Sequence, residues 1–69
     1  MQNQSLKESV ESFIEEINNC EDRHAIELLM ATKDLKIHGL HQRHNSIVDI
    51  EKADILIQNA VEERLKDFN

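Results

Sequence analysis

The chain has 69 residues, 14 acidic against 8 basic side chains, a formal charge of −6, one cysteine, two aromatic residues and no proline. No basic stripe is present, which argues against nucleic acid or an anionic membrane as ligand, since phosphate binding is dominated by Lys and Arg. A lone cysteine excludes an intrachain disulfide, and so short a chain buries a modest share of its surface. A second copy of the chain, most simply as a dimer, or another protein is therefore expected to complete the core.

No apolar run approaches the ~20 residues that span a bilayer. The amino terminus is polar and lacks the apolar centre of a signal sequence. A cytoplasmic protein is expected, with Cys20 a free thiol in a reducing compartment.

Ser5-Leu6-Lys7-Glu8 has the form of a capping box, so a helix starts at residue 5. Leu6, Val10, Phe13, Ile14 and Ile17 share one face, with Glu8, Glu11, Glu15 and Glu16 beside or behind it. At 100° per residue that face continues through Cys20, His24, Leu28, Ala31 and Leu35. The phase predicts one helix over residues 5–38, a rod of roughly 50 Å. Its weak point is 18–22, where Asn18 and Asn19 are poor helix formers and Glu21 and Asp22 suit a helix amino terminus. From residue 25 a second apolar side opens, carrying Ile26, Leu29, Met30 and Ile37. A helix apolar on two sides is a buried one, covered either by the amino-terminal segment folding back or by another chain.

Gly39 lies within the polar run His38–Ser46, where a left-handed glycine ends a helix. This predicts a turn over 39–45 and a last helix over 46–68, capped by Asn45 or Ser46 with Asp49 in its first turn. Ile47, Ile50, Ala53, Ile57, Val61, Leu65 and Phe68 form its main stripe, interrupted by Asp54 and Arg64. Val48, Ile55 and Leu56 lie off that stripe, as on a helix that touches two neighbours. The expected fold class is all-α, a single domain over 1–69, built as a long helical hairpin or a three-helix arrangement that completes a bundle by oligomerisation.

Two groups of residues suggest metal chemistry. His38, His41 and His44 are three apart, a spacing that brings imidazoles together on a helical turn. Glu21 and His24 form a Glu-x-x-His pair that resembles the motif of ferritin-like di-iron bundles, which implies a metal held between helices. A metal-binding bundle using His38, His41, His44, Glu21 and His24 is thus one reading. The competing one makes His24 and Glu27 a polar layer paired with Asp54, Gln58 or Arg64 of a neighbouring helix.

Nucleophilic catalysis has no support. Cys20 lacks evident oxyanion donors, and Ser5, Ser9, Ser12 and Ser46 read as caps or solvated helix surface. The leading expectation is a non-enzymatic interaction module without a cofactor: an adaptor, regulator or chaperone. Its contact would be carried by Ile26, Leu29, Met30, Ile37, Val48, Ile55 and Leu56.

Overall fold

Capping residues divide the chain where the computed structural model, which describes residues 5–68, divides it. Helix α1 spans Leu6–Asn18, α2 spans Arg23–Met30, a π-helical stretch spans Asp34–Gly39, and α3 spans Ile47–Lys66. Ser5 Oγ accepts from the Glu8 amide at 3.2 Å, Asp22 Oδ1 from the Ala25 amide at 2.8 Å and Ser46 Oγ from the Asp49 amide at 3.1 Å. Each satisfies one of the amides that a helix start leaves without a partner. The fold is all-helical, with three α-helices and no strand among the described residues.

The continuous helix expected over residues 5–38 is broken. Asn19 closes α1, and Asp22 adopts an extended conformation, φ −153° and ψ 173°, as the cap of α2. A cap contributes about 1 kcal/mol, and two Asn residues in a helix interior each cost up to ~0.7 kcal/mol. Those local terms only permit the break. The larger gain is non-local: reversing the chain there lets α1 cover the second apolar side of the middle arm, and burying one aliphatic side chain is worth about 1.5–3 kcal/mol.

The three-helix alternative is therefore the one adopted. Ser9 meets His41 near the start of α1, and Cys20 meets Arg64 near the end of α3. Helices α1 and α3 consequently run side by side in the same direction, and the middle arm returns antiparallel to both. Val10, Phe13, Ile17, Cys20, Ile26, Ile37, Ala53, Ile57 and Val61 make one continuous core.

Inside the middle arm the phase expectation inverts. His24, Leu28, Ala31 and Leu35, expected to continue the inward face, are exposed, while Ile26 and Ile37 are buried and Leu29 and Met30 are half-buried. Because the chain reverses at residues 19–22, phase carried across them from Leu6 has no meaning.

Gly39 does not end the arm in a left-handed conformation, since no glycine has positive φ. It closes the π-helical stretch, and Gln42 still donates its amide to the His38 carbonyl. The reversal comes later, over residues 42–46, where the Asn45 amide group donates to the His41 carbonyl at 2.9 Å.

The π stretch has a phase rationale. The inward or half-buried positions Ile26, Met30, Lys33, Ile37 and His41 cover fifteen residue-to-residue steps, over which an ideal α-helix drifts by about 60°. A stretch bonded i→i+5 holds more residues per turn and takes up that drift, so that both Ile37 and His41 face α1.

Candidate interaction surface

Cross-links between helices fix the frame on which the outer surface is presented. The His38 Nε2–H donates to both Asp54 oxygens, at 3.1 and 2.9 Å, and Lys33 Nζ lies 3.4 Å from the same carboxylate. Asp54, an apparent interruption of the α3 stripe, thus pins the π stretch to α3. Lys36 Nζ sits 3.4 Å from Glu16 and 5.8 Å from the centre of the Phe13 ring. His41 Nε2 and Ser9 Oγ are hydrogen-bonded at 2.7 Å and both residues are buried.

At the other end, Arg64 Nη2 donates to the Cys20 carbonyl at 2.6 Å while the guanidinium stacks 4.8 Å from the Phe68 ring centre. Its second nitrogen, Nη1, reaches Asp67 at 3.1 Å. The bond to Cys20 satisfies a carbonyl in the connection just beyond the C-cap of α1.

The polar layer expected on His24 and Glu27 does not form. Both are exposed, 3.9 Å from each other, and neither reaches Asp54 or Arg64. Its place is taken by His38–Asp54–Lys33 and by His41–Ser9. Ser9 in particular had read as helix surface, because its partner lies 32 residues away and leaves no local signal.

The residues expected to carry a contact divide into two sets. Ile26 and Ile37 belong to the core, and Leu29 and Met30 pack against it, so all four are corrected from docking residues to core. Val48, Ile55 and Leu56 remain exposed. The break at 19–22 explains the split: α1 covers the side of the middle arm that had looked unpartnered. Periodicity missed Leu28, Leu35, Leu40 and Ile47, and with these the described residues include seven large aliphatic side chains exposed to between 53% and 75%. Leu28, Leu35 and Ile47 had been placed on the inward stripes.

Leu56 is also part of a shallow groove of about 390 Å³ between α1 and α3. Leu6, Val10 and Ile14 of α1 and Ala53 and Leu56 of α3 form its floor, with Lys7, Glu11, Asp49 and Lys52 along its edges. Leu6 and Ile14 are half-buried, so the floor has apolar surface still open to water.

The candidate metal ligands are dispersed. His38 is engaged with Asp54 and His41 with Ser9, while His44, Glu21 and His24 are exposed. No group of three or more His, Cys, Asp or Glu side chains is placed to hold a metal ion among the described residues. Comparison with protein-family models, with curated proteins and with solved structures finds no match to this chain.

Proposed function

We propose that this chain is a small acidic, non-enzymatic interaction module, an adaptor, regulator or chaperone that works by presenting apolar helix surface to a protein. The observation that carries the reading is the set of seven large aliphatic side chains at least half exposed on a 69-residue frame whose own core is already filled. Scattered exposed aliphatics are ordinary, but a small charged domain gains nothing in solubility from so many. They are carried by two elements, Leu28, Leu35 and Leu40 by the middle arm and its end, and Ile47, Val48, Ile55 and Leu56 by α3, where Ile47 and Leu56 line different grooves. The acidity adds selectivity, since a surplus of carboxylates repels acidic proteins and favours neutral or basic ones. A reducing compartment such as the cytoplasm suits the lone thiol of Cys20.

The test is association measured by sedimentation and by binding of an apolar dye, on the full chain and on Leu28→Asp, Leu35→Asp, Val48→Asp and Leu56→Asp. All four positions are exposed, so the variants are expected to fold with unchanged helicity. Association or dye binding that falls in at least one variant supports the reading. A chain that stays monomeric, binds no dye and engages no protein at micromolar concentration overturns it.

A further inference from the structure

We propose that the cleft between α1 and the end of the middle arm is the docking site for a basic amphipathic helix of a partner protein. This rests on the interaction reading above and gives the partner its chemistry. The cleft has a volume of about 510 Å³ and runs along α1 from Ser9 to Asn19, with Lys36 and Leu40 as its other wall. Ten residue steps of helix cover ~15 Å, so a helix laid along it gains about three turns of contact. Leu40, 63% exposed, supplies the apolar part of that contact.

The cleft already holds one cation. Lys36 Nζ sits 3.4 Å from the Glu16 carboxylate and 5.8 Å from the centre of the Phe13 ring. A carboxylate beside an aromatic face attracts ammonium and guanidinium groups, and Lys36 reaches the pair from the chain's own arm. Glu15 lines the same cleft and has no ion-pair partner among the described residues. Its carboxylate is open to a cation from outside. A Lys or Arg of the docked helix can lay its aliphatic stem over Leu40 and place its charged head at the acidic wall.

Charge decides between occupants. A second copy brings −6 to a chain of −6, so two copies repel on approach. Three of its lysines are also held within the copy, Lys33 by Asp54, Lys36 by Glu16 and Lys66 by Glu63. A basic helix from another protein meets attraction on approach and a carboxylate on arrival. The groove between α1 and α3 makes no such selection, because Lys7 and Lys52 on its edges balance Glu11 and Asp49.

Binding is read by titration calorimetry on the full chain at about 0.15 M salt, where exposed charges more than ~8 Å apart are largely screened. The probe is a synthetic amphipathic helix of Leu and Lys, and its counterpart carries Glu for Lys. The Lys peptide is expected to bind saturably, one per chain, and the Glu peptide at least tenfold more weakly. Leu40→Asp is expected to weaken the Lys peptide at least tenfold, and Glu15→Lys by roughly three- to fivefold. Glu62→Lys, the same charge change at an exposed position of α3, is expected to leave it unchanged. Lys36→Met is expected to tighten binding by roughly two- to fivefold, because Glu16 and the Phe13 ring then take the peptide's cation. Lys66→Met, which removes the same charge from an exposed pair, is expected not to. Circular dichroism checks that each variant folds. Absence of saturable binding overturns the proposal, as do equal binding of the two peptides and equal effects within either matched pair of variants. Binding lost in Leu56→Asp but kept in Leu40→Asp overturns the cleft as the site and leaves the interaction reading standing.

Discussion

Gly39 is helical, has negative φ and lies at the surface, so it gains nothing from lacking a side chain. A Cβ there meets only Leu35 Cδ1 at 3.4 Å and the Asp34 carbonyl at 3.7 Å, and the exposed Leu35 side chain can move aside. Gly39→Ala is expected to raise stability by about 0.5–1 kcal/mol in a urea titration, through the lower entropy of the unfolded chain. Arg64 is the opposite case. Arg64→Ala removes the bond to the Cys20 carbonyl and the stacking on Phe68, with an expected loss of about 1–2 kcal/mol. Lys66→Ala, which breaks an ion pair exposed on both sides, is expected to change the melting temperature within error. Ser9→Ala leaves His41 Nε2 buried without its 2.7 Å partner, and a loss of about 1–2 kcal/mol is expected in the same titration.

Among the elements, the break at residues 19–22 is held by Asp22. Asp22→Ala is expected to destabilise the fold by about 1 kcal/mol, read as a lower urea midpoint with unchanged slope, whereas Asp22→Asn retains the cap and is near neutral. The helix starts at Ser5 and Ser46 and the inward stripe Ile50, Ala53, Ile57 and Val61 were legible in the sequence, because caps and a 3.6-residue period act within a few residues. The break was only half legible. Its cap is written at Asp22, but the term that decides it is the burial of Ile26 and Ile37 beneath α1, which depends on residues that meet only after the chain reverses. The same limit governs the candidate surface. Val48, Ile55 and Leu56 stood out because they leave the α3 stripe, whereas Leu28 and Leu35 were assigned inward by a phase the break had reset. The groove itself joins α1 to α3, and no periodicity within either helix describes it.

For the whole molecule, the core is a single thin cluster, so its loss is all or none. Stability of a domain this size is expected at roughly 3–10 kcal/mol. Ile57→Ala at the fully buried centre is expected to remove 2–5 kcal/mol of it. Cys20 supplies the readout: its buried thiol is expected to resist a thiol reagent in the native protein and to react quickly in Ile57→Ala, with a labelling rate that follows the unfolded fraction. A parallel α1 and α3 also bear on how the molecule is made. The cross-links between them, or between α1 and the arm's end, span 44 and 32 residues, so during synthesis α1 emerges well before α3 exists to complete the cover of Phe13 and Ile17. Closing so long a loop is entropically slow for a helical protein, and before α3 is added α1 has only the middle arm to cover it. Vectorial synthesis therefore leaves the α1 and middle-arm pair with its α3-facing apolar side open until α3 is added.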